Sequence, residues 1–280
     1  MTAPSVTLGR PRARRFPSAS LALVGAMTAL AAVGPFLVAT DPNAQDLLRV
    51  LEPASWAQPL GTDHLGRDVL ARVVHGAPRS LGIALLCVLA ASGVGVALGL
   101  AAAYGTRLAD AVIMRLSDLM LAFPGILLAL LLSGFLGGGI VPMLIGIKLT
   151  LWPQFARMAR AVAIGVLQEP HVEAAELAGF SKHVILARHV LPPVLHQTMT
   201  LTTLGLGSAV MSISALGFLG LGLQPPTPEW GAMINELLPY LSEAPAQMAA
   251  PCLAIFLAVL GFTLAGQAVA DETVRSESAP

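Results

Sequence analysis

Two long stretches without Asp, Glu, Lys or Arg dominate this chain, one from 81 to 105 and the other from 190 to 227. A run of about 20 mostly apolar residues is long enough to cross a bilayer as a helix. Six segments meet that length, at roughly 20–40, 81–104, 117–136, 139–162, 193–221 and 248–269. Only 11% of the residues are charged, against about 25% in soluble domains. We therefore predict an all-α integral membrane protein with six transmembrane helices.

The distribution of arginine and lysine predicts the orientation of these helices. Four arginines precede the first apolar run, which favours a cytoplasmic N-terminus and, after six spans, a cytoplasmic C-terminus. A cleaved signal peptide is the less favoured reading of that run. The predicted parts are a cytoplasmic tail (1–19), a first transmembrane helix (20–40), an external loop (41–79), a core of five helices (80–270) and a second cytoplasmic tail (271–280). The formal net charge of zero gives no basic field that would favour nucleic acid.

A polar segment between the fourth and fifth spans, residues 168–192, contains the triplet Glu173-Ala174-Ala175 and is called the EAA segment below. Pro170 suits the first turn of a helix, and Gly179 can end that helix in a left-handed conformation. Ser181 can cap a second short helix, and Leu191-Pro192 marks the entry to the fifth span. The pattern predicts a helix, a turn and a second helix at the cytoplasmic surface, with small alanines on the exposed face.

Three ordered signatures carry a resemblance to a known family. The EAA segment is similar to the ATPase-coupling loop of bacterial ABC-importer permeases. LGTDHLGRDVLARVVHGAPRSL at 60–81 and ALGFLGLGLQPPTPEWGAMI at 215–234 resemble the second permease of dipeptide, oligopeptide and nickel importers. The resemblance covers roughly residues 20–270. His189 departs from the general family pattern, which often has isoleucine there, and matches the form of the peptide and nickel branch.

The resemblance implies a type I ABC importer permease fold in the bacterial inner membrane. It implies three kinds of partner: a second permease subunit as heterodimer partner, one or two ATPase subunits, and a periplasmic or lipid-anchored substrate-binding protein. The residues implied to contact the ATPase are Glu173, Ala174, Ala175, Gly179, Leu191 and Pro192. ATP and magnesium would be used by the ATPase, with no cofactor bound by this chain. The implied cargo is a peptide, nickel or a metal chelate. The runs GTDHLGRD at 61–68, LWPQFARMARA at 151–161 and WGAMINE at 230–236 are most similar to nickel-importer permeases, which favours a metal cargo only weakly.

The external loop contains residues that predict a compact local structure. Gly61 and Gly66 permit tight turns, and Asp63, Arg67 and Asp68 are spaced for a local ion-pair cluster. Direct contact of these charges with substrate is the alternative. In the last external loop, we predict that Thr227 caps a helix and that Trp230 lies at the membrane interface, where tryptophan is enriched.

Lys148 is the one basic residue deep in an apolar span, about nine residues or roughly 13 Å along the fourth helix. An ionisable residue at that depth is a functional hypothesis by default. Lys148 is therefore a candidate for the substrate pathway, while pairing with Asp118 or extension to the membrane surface are the alternatives. His64 and His75 are weaker candidates for contact with an entering metal, and no firm metal site is predicted.

The chain has no G-x-x-x-x-G-K-[ST] phosphate loop and no H-E-x-x-H or G-x-S-x-G motif. We therefore expect a non-catalytic permease subunit that depends on ATP hydrolysis by a partner. An ATP-independent channel or secondary transporter is the main alternative function, and an exporter component is a second one.

Overall fold

The computed structural model describes residues 17–277, and side chains from 19 to 271. Within this part the chain is helical, with no β-strand beyond one isolated bridge between Thr62 and Asp68. The predicted all-α class is therefore confirmed. The four N-terminal arginines, and most of both predicted tails, lie outside the described side chains.

Eleven α-helices follow one another along the described chain. They are α1 (Pro17–Ala32), α2 (Gly34–Leu37), α3 (Val69–Tyr104), α4 (Arg107–Ala122), α5 (Gly125–Phe135), α6 (Ile140–Leu167), α7 (Pro170–Leu177), α8 (Lys182–Ile185), α9 (Leu191–Phe218), α10 (Trp230–Leu237) and α11 (Pro245–Glu277). A π-helical turn (Leu186–Val190) joins α8 to α9, and a 3-10 turn (Leu238–Tyr240) follows α10.

Two of the predicted spans have different limits in the structure. The first apolar run forms α1 and the short α2 rather than one helix from 20 to 40. The second span begins at Val69 instead of 81, because the Asp68 carboxylate accepts a hydrogen bond from the Ala71 N–H at 3.0 Å and so caps α3. About a quarter of the predicted external loop is thus helical.

The third predicted span is not one straight helix. It consists of α4 and α5, which meet at an angle of 90°. The break lies at Phe123 and Pro124, where proline lacks the N–H that would continue the hydrogen-bond ladder and disfavours helical geometry in the residue before it. A turn of three glycines, Gly137 to Gly139, then connects α5 to α6, and all three have positive φ angles between 74° and 93°.

Three described helical segments are long and apolar enough to cross a membrane: Val69–Tyr104, Lys182–Phe218 and Pro245–Asp271. The bent pair α4 and α5 makes a fourth if it is counted as one span. The described part of α1 is shorter, and α6 carries Lys148, Arg157 and Arg160 along its length. The membrane class is confirmed, while crossing by α1 and α6 stays a prediction.

The close packing of α3 on α6 forms the centre of the bundle. These two helices run parallel, since Gly95 faces Trp152 and Phe155 while Gly99 faces Ala156 and Ala159.

The bundle has two distinct ends. Residues 38–68 and 219–244 meet at one end, called the outer end, and the EAA segment lies at the other, called the inner end.

Candidate functional site

The EAA segment begins with α7, which ends in a hydrogen-bonded turn. Gly179 has φ +83°, and its N–H donates to the Glu176 carbonyl at 2.9 Å. The Phe180 N–H donates to the Ala175 carbonyl at 3.1 Å, which completes a Schellman motif. The left-handed helix end is the geometry that the sequence predicts at this glycine.

A small separate core holds α7 and α8 in place. Val172, Ala175 and Ile185 are buried together and pack on Val166 and Leu167 at the end of α6. Ala175 therefore faces inward, contrary to the predicted exposed alanine surface, whereas Glu173 and Ala174 are exposed. Burial of these three apolar residues fixes the position of α7 on the bundle.

The surface of this segment is more apolar than the sequence analysis indicated. The Leu177 side chain is 85% exposed and Phe180 is 49% exposed, on either side of the Gly179 turn. Ser181 occupies the N-cap position of α8, but its side chain makes no capping hydrogen bond. Two large uncovered apolar side chains beside an exposed glutamate form a surface suited to a protein partner.

The second half of the segment leads directly into α9. The π-helical turn joins α8 to α9 as one helical rod, with Leu191 and Pro192 in the first turn of α9. The His171 ring on α7 lies 5.4 Å, between centroids, from the His189 ring on the π-helical turn. This ring contact joins α7 to the π-helical turn that precedes α9, and π-helical turns are frequent at functional sites.

At the outer end, four charged side chains form the outer charge cluster, which consists of Asp63, Arg67, Arg72 and Glu236. Arg67 Nε lies 2.6 Å from Asp63 Oδ2, and Arg72 Nη2 lies 2.7 Å from Glu236 Oε2. Arg67 also reaches Glu236 at 3.1 Å, and Arg72 reaches Asp63 at 3.5 Å. Both arginine side chains are at most 2% exposed, so two buried cations are balanced by two acids.

This cluster is larger than the predicted local one. Asp63 and Arg67 are in contact, but Asp68 caps α3 and takes no part in the ion pairs. Arg72 and Glu236 were not predicted, although Glu236 is the one charged residue of α10 and was the available signal. Gly61 and Gly66 have φ angles of +72° and +71°, and a Cβ at either would collide with a backbone carbonyl of residues 46–53.

The last external loop departs from prediction at both of its highlighted residues. Glu229, not Thr227, caps α10, because its carboxylate accepts from the N–H groups of Gly231 and Ala232, both at 2.9 Å. Trp230 is fully buried rather than interfacial, and its indole N–H donates to the Val73 carbonyl at 2.9 Å. Burial raises the pKa of Glu229, while the two N–H groups and the Ser80 hydroxyl oppose that rise.

The two candidate histidines make protein contacts. His64 stacks on Tyr240 with 5.4 Å between ring centroids, and burial lowers its pKa. His75 Nδ1 lies 2.9 Å from the Ala71 carbonyl oxygen of its own helix. No group of three or more metal-binding side chains occurs in the described residues. Neither histidine is brought into a set of metal ligands.

Lys148 lies on α6 beside α3 and is half-buried. It lines a cavity of about 270 Å³ with residues that are otherwise apolar, namely Ala90, Ala91, Val94, Ile145, Leu149 and Trp152. Pairing with Asp118, one predicted alternative, is wrong, since Asp118 contacts Arg157 at 3.3 Å on the surface.

Comparison with known proteins agrees with this arrangement. Residues 95–273 match the family described as binding-protein-dependent transport system inner membrane component. The chain is 39% identical over 243 residues to the di/tripeptide transport system permease protein DppC of Pseudomonas aeruginosa, covering 85% of this chain and 80% of that one. It is 42% identical over 211 residues to the glutathione transport system permease protein GsiD of Escherichia coli, covering 75% and 70%.

A solved structure of the methionine ABC transporter MetNI in an inward-facing conformation shares the fold. Its TM-score is 0.56 at 18% identity, and the match covers 74% of this chain and 97% of that chain. These findings confirm the predicted type I importer permease fold and the multi-pass location in the inner membrane. The relatives are permease subunits, which are not themselves enzymes. This chain therefore belongs to the binding-protein-dependent transport system inner membrane components, the permease subunits of ABC importers.

Proposed function

We propose that this chain moves short peptides into the cell as one of two permeases, driven by an ATPase that binds the EAA segment. The observation that carries the proposal is the inner-end surface of Glu173, Leu177 and Phe180 around a rigid glycine turn. Two apolar side chains that are left in water on an otherwise compact loop favour a docking surface over a free polar connection.

The chain has a mechanical connection that suits this role. The EAA segment is anchored to α6 by its own small core and continues into α9 through the π-helical turn. An ATPase that pulls on α7 would therefore move α6 and α9 together. ATP and magnesium would be bound by the ATPase, and this chain would supply alternating access only.

The cargo is inferred from the relatives. Their names specify di/tripeptides and glutathione, both of which are short peptides with free carboxylates. His64 and His75 have protein contacts, and none of the described residues forms a metal-binding group. These observations favour peptide over nickel as the cargo, delivered by a substrate-binding protein at the outer end and passed between this chain and a second permease.

The docking surface is tested by Leu177→Asp in the co-expressed transporter. We expect the ATPase to be lost from the purified complex, because a buried aspartate at the centre of an apolar contact is left unpaired. Leu48→Asp is the matched control, since Leu48 is 94% exposed at the outer end and should leave ATPase binding unchanged. Equal ATPase content in all three complexes would refute docking at this surface.

The driving force is tested by uptake of radiolabelled dialanine into proteoliposomes that contain the complete transporter. Uptake should require ATP and the binding protein, and Leu177→Asp should abolish it. Uptake that persists without ATP would instead support the channel or secondary-transporter alternative. Movement of nickel in place of dialanine would refute the peptide assignment while leaving the importer assignment intact.

A further inference from the structure

Lys148 is a charged side chain that no described residue of this chain neutralises. It lies eight residues from the start of α6, which at about 1.5 Å per residue places it about 12 Å along the helix from its outer end. No ion pair or hydrogen bond joins its ammonium group to any other residue that the structure describes. An unpaired ammonium group at such depth is costly and is retained where it has a functional counter-ion.

The cavity beside Lys148 has room for that counter-ion. Its α3 wall consists of Ala90, Ala91 and Val94, whose short side chains leave about 270 Å³ open. The α6 wall adds Trp152, which is nearly buried one turn below the lysine. The only charged group at the cavity is therefore one cation, surrounded by apolar surface. This combination fits a ligand that carries one carboxylate and an apolar side chain.

The side of the subunit to which the cavity opens limits which group can balance the charge of Lys148. Neighbouring positions of α3, such as Leu86 and Leu89, are more than half exposed, so this surface faces outside the subunit. A lipid-covered surface would leave the ammonium group in hydrocarbon without a partner. A surface that faces the transport pathway would place it opposite a passing substrate and intermittent water. The unpaired charge of Lys148 therefore favours a surface that lines the transport pathway over a surface that faces lipid.

We propose that Lys148 binds the C-terminal carboxylate of the peptide in transit, and that the α3–α6 surface around it lines the pathway. This inference rests on the proposed peptide importer and adds the group of this chain that recognises the cargo. The cavity is larger than one carboxylate requires, which favours a mobile ligand with a side chain over a fixed acidic residue of the second permease.

The test introduces a thiol by Lys148→Cys in the complete transporter, with Cys87 and Cys252 replaced by alanine. Dialanine uptake per assembled complex should fall at least about tenfold, as expected when one partner of a desolvated charge pair is removed. Treatment with 2-aminoethyl methanethiosulfonate returns an ammonium group and should restore uptake to within about twofold. Methyl methanethiosulfonate adds no charge and should not restore it. Leu48→Cys is the control, since Leu48 is 94% exposed at the outer end and does not line the cavity.

Substrate protection identifies the counter-ion. Millimolar dialanine should slow the reaction of the introduced thiol with the charged reagent, because the peptide occupies the same site. If the charged reagent does not react with the thiol at position 148, the residue faces lipid and the proposal is overturned. Reaction without protection, or a loss of assembled complex with unchanged uptake per complex, would assign the lysine to a contact with the second permease and also overturn it.

The two proposals fail in different ways. If the unaltered transporter takes up neither dialanine nor glutathione with ATP, the peptide-importer function is wrong and the role of Lys148 falls with it. If the unaltered transporter takes up dialanine and Lys148→Met does so equally well, the importer function stands and only the carboxylate site is wrong. Lys148→Arg, which keeps the positive charge, should retain most of the uptake.

Discussion

Removal of the Glu236 carboxylate should unfold the outer end more readily than any surface change. In Glu236→Gln, Arg67 and Arg72 remain at most 2% exposed but share only Asp63 as a counter-ion. Breaking a buried pair from one side costs about 3–5 kcal/mol. The Glu236 side chain is 13% exposed, so water can partly solvate the arginines once its charge is removed. We therefore expect a loss in the free energy of unfolding at the lower end of this range, about 3 kcal/mol.

The assay is thermal unfolding of the purified permease in detergent. A loss of about 3 kcal/mol corresponds to roughly 6–12 °C in Tm for a protein of this size class. The control is Asp118→Asn, which removes an ion pair whose side chains are 55% and 52% exposed and should shift Tm by at most about 2–4 °C.

A double variant separates charge from packing. Replacing both Arg72 and Glu236 by methionine leaves Asp63 and Arg67 as a neutral pair, so much of the stability should return. A loss of Tm in Glu236→Gln no larger than that in Asp118→Asn would contradict the cost assigned to the buried charges. Losses from Arg72→Met and Glu236→Met that simply add in the double variant would contradict it as well.

Three further perturbations test other parts of the structure by the same Tm assay. Gly95→Ala should lower the free energy of unfolding by about 1–3 kcal/mol, because its Cβ would collide with Trp152 and Phe155. Its control, Gly93→Ala, has open space around the new Cβ and should be neutral or stabilising. Equal effects of the two changes would refute close α3–α6 packing. Gly179→Ala should lower the free energy of unfolding by about 1 kcal/mol, because the φ of +83° is unfavourable for alanine, and Gly179→Asn should lower it less. An alanine variant as stable as wild type would contradict the left-handed turn. Burial raises the pKa of Glu229, so the native state holds its proton more tightly and wild type loses stability as pH rises through that pKa. The Tm of wild type relative to Glu229→Gln should therefore increase as pH falls towards the ordinary carboxyl pKa of 4.5, and a flat difference would refute the raised pKa.

Features that depend on a few neighbouring residues were predictable from the sequence. The Gly179 helix end, the Gly137–Gly139 turn and the Asp63–Arg67 contact each arise within six residues of chain. Local backbone preference and side-chain reach determine such features, so spacing alone is informative. The all-α membrane class follows for a similar reason, because helix length and polarity are read directly from composition.

Features that depend on distant packing were not predictable. Glu236 lies 169 positions from Arg67, and its position as the one charged residue of α10 marks a carboxylate without identifying the two buried cations that it contacts. Trp230 has the residue type of an interfacial anchor, yet it is buried because α3 supplies the Val73 carbonyl. Pro124 predicts a kink between α4 and α5, but the sequence does not give its right angle, since the packing of both segments determines the direction after a break.

If the EAA segment binds an ATPase as proposed, the two ends of the bundle have different mechanical roles. At the outer end, the buried charge cluster and the Glu229 cap tie the first and last external loops to α3, and loss of any one acid leaves a buried donor unpaired. At the inner end, a core of only three fully packed residues seats α7, and large apolar side chains remain exposed. An assembly with this distribution should move as a rigid body driven from its inner end, with α6 and α9 as the connected elements. On that view Lys148 lies on the rigid part, so the movement changes which side of the membrane can reach it without changing the site itself.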